Sequence, residues 1–143
     1  PFKGVNMWDD VGLAIRIRYY IQSTSVINKA FYHYNRLNET STTRRPLSEQ
    51  IAEQNLCLRY IREFFEKENA LDKYKLFVSY LKIHILERIF RTDADTWARE
   101  FKPERKNLWK IRHLYKTHIL VKYYTVGYGG KLGKLIWKKF WKR

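Results

Sequence analysis

Residues 71–92 read LDKYKLFVSYLKIHILERIFRT. Leu71, Tyr74, Val78, Leu81, Ile85 and Ile89 recur there at steps of three and four, the repeat of one apolar helix face. A strand-like alternation occurs only in Ile15-Arg16-Ile17-Arg18-Tyr19. No second alternating run is available to pair with it, and Leu13, Ile17, Tyr20 and Ile21 also share a helical face. The sequence therefore predicts an all-α fold, an irregular bundle of four to five helices.

Working back from residue 71, Asn69 reads as a helix cap. A helix over about 47–68 precedes it, with Ser48 as its cap and Leu47 placed to pack back on the first turn. Three i,i+4 pairs support this helix, Arg59 with Glu63, Arg62 with Glu66 and Glu63 with Lys67. Its apolar face runs through Leu58, Ile61 and Phe65. The polar stretch from Asn35 to Arg45, followed by Pro46, is the clearest loop. Residues 11–36 are expected to be helical, capped by Asp10 and preceded by an irregular arm over 1–10.

Forward from residue 92, Thr92-Asp93-Ala94-Asp95 reads as a break and a restart, where capping is the ordinary job of a carboxylate. A short helix is expected from Asp95 to Phe101. Another opens at Pro103 and carries Leu108, Ile111, Tyr115 and Ile119 on one side. Gly127, Gly129, Gly130 and Gly133 are four of the six glycines in the chain. Glycine costs most where a helix would otherwise continue, so these four predict a hinge. The expected organisation is a helical domain over 1–126 and a Gly hinge with a detachable basic tail over 127–143.

The charge is unevenly distributed. Residues 105–143 carry twelve Lys and Arg and no Asp or Glu, so +12 of the net +15 lies in one terminal third. Such asymmetry, interleaved with Trp and Tyr, marks an attachment surface for something anionic. On a helical wheel Leu132, Ile136, Phe140, Trp137 and Trp141 fall at about 0°, 40°, 80°, 140° and 180°. Lys134, Lys138 and Lys142 fall at about 200°, 240° and 280°. Twelve residues rise roughly 18 Å, too short to cross a bilayer but suited to its interface. The expected contacts to anionic lipid or phosphate are Lys131, Lys134, Lys138, Lys139, Lys142 and Arg143. Trp137, Phe140 and Trp141 are the expected interfacial anchors.

An apolar content of 45% is too high for a disordered chain. Cys57 is the single cysteine, so no intramolecular disulfide forms, and its Leu56-Cys57-Leu58 setting predicts a buried thiol. No run of 18 apolar residues occurs, so no transmembrane helix is expected. The four histidines, His33, His84, His113 and His118, include no i,i+4 metal pair. The Gly-rich GYGGKLGK lacks the spacing of a nucleotide-binding P-loop. The sequence thus points to no catalytic, cofactor or metal residue and to no small-molecule substrate. The expectation is a non-enzymatic accessory subunit of an energy-transducing membrane complex, a respiratory-chain complex or ATP synthase. It would be peripheral to the mitochondrial inner membrane, with other protein subunits and an anionic phospholipid such as cardiolipin as partners. The alternative is a ribosomal protein, mitochondrial or otherwise, whose basic C-terminal third binds rRNA.

Overall fold

The computed structural model describes residues 8–29 and 44–140; for Arg91, Thr92, Ala94, Gly130, Lys131, Lys134, Trp137, Lys138 and Phe140 it describes the helical backbone alone. Residues 1–7 of the arm expected over 1–10, residues 30–36 of the helix expected over 11–36, residues 35–43 of the loop expected from Asn35 to Arg45, and Trp141, Lys142 and Arg143 lie outside the described residues. The described chain is all-helical, with no strand among its residues. Its helices are α1 (Asp9–Tyr20), α2 (Leu47–Lys67), α3 (Leu71–Thr92), α4 (Ala94–Phe101), the six-residue α5 (Arg105–Lys110) and α6 (Thr117–Phe140). Two compact units result, residues 1–67 and 68–143.

In the first unit, α1 packs on α2. The anchor is Tyr19, whose ring meets Phe64 edge-on at 5.3 Å and Phe65 at 6.1 Å. Arg16 lies over the Phe64 ring at 5.4 Å. The alternating run 15–19 is helical, but α1 stops at Tyr20 and Ile21–Asn28 has no regular structure. The stripe Leu13, Ile17, Tyr20 and Ile21, read as one helical face, is exposed, and the buried residue of α1 is Gly12. Nor does Asp10 cap the helix. The N-cap position is Trp8, with a left-handed φ of 69°, while Asp9 and Asp10 sit in the first turn. Carboxylates there favour the positive end of the helix dipole without capping it.

The predicted α2 face is present, with Leu58, Ile61 and Phe65 buried beside Cys57. Arg62 meets Glu66 at 3.0 Å and Arg59 meets Glu63 at 3.7 Å, whereas Glu63 and Lys67 form no ion pair. Ser48 lies inside the first turn rather than at the cap, because α2 already begins at Leu47. Pro46 supplies the carbonyl that Gln50 N–H reaches at 3.2 Å. Asn69 is likewise not the cap of α3. It takes a left-handed φ of 51° in the turn after α2, a conformation asparagine tolerates, and Ala70 occupies the N-cap.

In the second unit, α3 is the central element, with α4 and α5 packed on it and α6 packed on α4. Leu81, Ile85 and Ile89 of the predicted face are buried, together with Ile83 and Leu86. The restart at residue 93 is as read. Asp93 Oδ1 accepts the N–H groups of Asp95 and Thr96, both at 3.0 Å. Polar ties complete the unit: Lys82 to Glu100 at 3.3 Å joins α3 to α4, and Asn107 Nδ2 to Ser79 Oγ at 2.6 Å joins α5 to α3. Pro103 sits in a 3₁₀ turn before α5, and a second 3₁₀ turn over Arg112–Leu114 separates α5 from α6.

The glycines lie within α6, where the chain bends sharply. Residues 117–140 form one helical run, but the run is not straight. Eight residues along a straight helix are separated by about 12 Å. Here a Cβ placed on Gly133 would land on the Thr125 carbonyl and lie 3.3 Å from Val126 Cα. The chain therefore doubles back between Val126 and Gly133. Past this bend Gly133 is buried against backbone eight residues earlier.

Candidate functional site

The first half of α6 has two working faces. Lys122, Tyr123, Val126 and Gly127 turn inward and are buried. Trp97 stacks on Phe101 at 4.7 Å and on Tyr123 at 5.5 Å, and Phe90 meets Trp97 edge-on at 5.0 Å. Gly127 lies against this cluster so closely that a Cβ would be 2.9 Å from the Phe101 ring. Lys122 pairs with Glu87 and lies 5.0 Å above Phe90. The Tyr123 hydroxyl is within donor reach of Glu87 Oε2 at 3.3 Å and Ile83 O at 3.4 Å. Burial pushes the Tyr123 and Tyr115 hydroxyls well above the usual tyrosine pKa, and the Glu87 carboxylate adds to the effect for both. This inward cluster holds charge in place, with Lys122 and Tyr123 buried and Glu87 at its half-buried edge.

The outward face is different. Tyr128 stacks on Tyr124 at 5.7 Å, and Tyr124 meets Trp109 of α5 edge-on at 6.1 Å. At one end Arg105 lies 4.4 Å over the Tyr128 ring and donates to the Gly127 carbonyl. At the other, Arg112 lies 4.4 Å over the Trp109 ring and donates to the Trp109 carbonyl at 2.7 Å. The result is a ladder of three rings closed at both ends by a guanidinium. Trp109 and Tyr128 are 58% and 59% exposed, so the ladder is a surface feature. Among the described residues neither arginine forms an ion pair, unlike Arg59 and Arg62, which are neutralised by glutamates. Each guanidinium is oriented by an aromatic face and a carbonyl.

Past the fold-back, Leu132 and Leu135 are 67% and 64% exposed, Ile136 is exposed as well, and Lys139 shares the surface with them. The structure thus places the second half of α6 with aliphatic side chains facing out in the acid-free third of the chain. No helix among the described residues is long and apolar enough to cross a membrane, and no group of His, Cys, Asp or Glu among them could hold a metal ion.

No protein-family model, no curated protein and no solved structure matches this chain.

The ladder was not among the residues singled out from the sequence. Its signal was nonetheless there: Arg105, Trp109 and Arg112 are spaced i, i+4, i+7, and Tyr124 and Tyr128 are spaced i, i+4. What the sequence lacked was the information that Trp109 of α5 reaches Tyr124 of α6 and that Arg105 reaches Tyr128.

Proposed function

We propose that this chain is a non-catalytic accessory subunit attached to an anionic membrane surface by its C-terminal third. The observation that carries the reading is the exposure of Leu132, Leu135 and Ile136 on a helical segment whose flanking 39-residue stretch holds twelve basic and no acidic residues. A purely electrostatic nucleic-acid tail has no use for outward aliphatic side chains. A helix lying in the bilayer interface requires them, with lysines reaching the headgroups. The exposed stripe of α1, Leu13, Ile17, Tyr20 and Ile21, supports a role within an assembly, since it leaves apolar area for another protein to cover.

The assembly we infer is an energy-transducing complex of the mitochondrial inner membrane, a respiratory-chain complex or ATP synthase, with cardiolipin as a fitting counter-charge. That finer reading rests on the basic, aromatic-rich and disulfide-free character of the sequence. The test is co-purification of the tagged chain in mild detergent from its own cells, with identification of its companions. Respiratory or ATP-synthase subunits support the reading. Ribosomal proteins with rRNA would replace it by the ribosomal alternative.

A further inference from the structure

We propose that the ladder between α5 and α6 is an anionic-phospholipid site, in which Arg112 carries the headgroup phosphate and Trp109 and Tyr128 lie at the headgroup level. This deepens the membrane-surface reading and rests on it.

Three observations lead there. Arg112 is exposed, is held by the Trp109 ring and carbonyl, and forms no ion pair among the described residues. A planar guanidinium so oriented, with N–H groups to spare, suits a phosphodiester. Arg105 differs. Its Nε is buried without a partner and its terminal nitrogen is committed to the Gly127 carbonyl, so it acts as a positioning residue holding Tyr128 and the start of the fold-back. Second, the rings are already engaged, Tyr128 by Tyr124 and Arg105, and Trp109 by Arg112. Unpaired bases need a free ring face to stack on, and Arg112 already takes one face of Trp109, whereas an interfacial aromatic needs only an amphipathic edge at the headgroup level. Third, exposed Val121 shares the α6 face of Tyr124 and Tyr128, and exposed Leu114 stands in the same 3₁₀ turn as Arg112. Aliphatic groups beside a phosphate-binding arginine match the boundary between headgroup and acyl chain.

The experiment is flotation of the full chain with vesicles of phosphatidylcholine alone or with about one-fifth phosphatidylglycerol. Wild type, Arg112→Gln, Arg112→Lys, Trp109→Ala and the exposed control Lys102→Gln are compared, with helicity checked by circular dichroism. Wild type should float with the anionic vesicles only. Arg112→Gln should weaken partitioning by about fivefold or more, and Arg112→Lys should recover little of that, because lysine lacks the planar fork and the ring stack. Lys102→Gln, which removes the same charge elsewhere, should change it less than about twofold. Trp109→Ala should match Arg112→Gln, and it decides the matter if Arg112→Gln loses its helicity. Equal effects of Arg112→Gln and Lys102→Gln, or an Arg112→Lys chain that binds like wild type, would overturn the site and leave the membrane reading standing. Full displacement by inorganic phosphate, at an ionic strength where chloride does not displace, would assign the site to free phosphate instead. A wild-type chain that ignores anionic vesicles but binds oligouridylate would overturn both the site and the reading.

Discussion

Glu87 of α3 and Lys122 of α6 form an ion pair 35 residues apart in sequence, with the lysine almost entirely buried and two aromatic rings, Phe90 and Tyr123, beside its ammonium. Such a pair offsets desolvation only because both partners are present. Glu87→Gln leaves a buried ammonium without its counter-charge, and Lys122→Met leaves the carboxylate with a tyrosine hydroxyl as its chief partner. Each single change should cost about 3 kcal/mol. The double variant should cost clearly less than the sum, and thermal or urea denaturation of the four chains in a mutant cycle measures the coupling directly. Additive losses would show that the pair does not act as a unit.

The glycines of α6 separate packing from propensity. Nothing lies within 4 Å of a Cβ at Gly129, so Gly129→Ala should stabilise the chain by about 0.5–1 kcal/mol through helix propensity. Gly127→Ala pushes the Phe101 ring, a movable partner, and should cost about 1–3 kcal/mol. At Gly133 the obstacle is the Thr125–Val126 backbone, which cannot swing aside, so Gly133→Ala should be the most damaging of the three. Urea midpoints in the order Gly129→Ala above wild type, then Gly127→Ala, then Gly133→Ala would confirm the fold-back; a harmless Gly133→Ala would mean a straight helix.

The legible parts of this molecule were the local ones. The periodicity of α3, the Asp93 cap and the Leu58–Ile61–Phe65 face could be read because each depends on residues within two or three turns of one another. Asn69 and Ser48 were misjudged by the same short-range logic. Both residue types also favour caps, and the left-handed turn after α2 and the carbonyl of Pro46 decided the outcome instead. Leu13 and Ile17 formed a plausible buried stripe, yet α1 docks through Tyr19, because an aromatic ring among Phe64 and Phe65 brings more contact area than two aliphatic chains. The ladder and the Glu87–Lys122 pair needed tertiary knowledge that no spacing supplies.

Alkaline pH should unfold the second unit. Tyr115 and Tyr123 have their pKa values raised, first by burial and then by neighbouring phenol and carboxylate groups. A tyrosine in the unfolded chain ionises near pH 10. Stability from this source is therefore complete below about pH 10 and is lost as pH rises above it, because the unfolded chain then binds fewer protons. Ultraviolet titration should show these two hydroxyls ionising only as helicity disappears. Tyr123→Phe should move the alkaline transition upward in pH, while a smooth titration of all tyrosines with helicity retained would contradict the buried placement.

The thiol of Cys57 should be inert for a reason visible in α1. Burial pushes its pKa up to about 11, opposed by a hydrogen bond from the Gly12 backbone and reinforced by the carboxylates of Asp9 and Asp10. Its Sγ–H also donates to the Trp8 carbonyl at 3.1 Å, the same oxygen that accepts Gly12 N–H at 2.9 Å. The thiol thus helps hold Trp8 in its left-handed conformation, one that a bulky side chain rarely adopts. Since the folded pKa lies above the unfolded one, the associated stability is present below about pH 9 and declines as pH rises toward 11. A disulfide exchange reagent at pH 8 should label the native chain at least about 100-fold more slowly than the urea-unfolded chain. Gly12→Val, which crowds the buried position on α1, should loosen the contact and raise the labelling rate before global unfolding. If native and unfolded chains react alike, Cys57 is exposed and the docking of α1 on α2 is not held at this point.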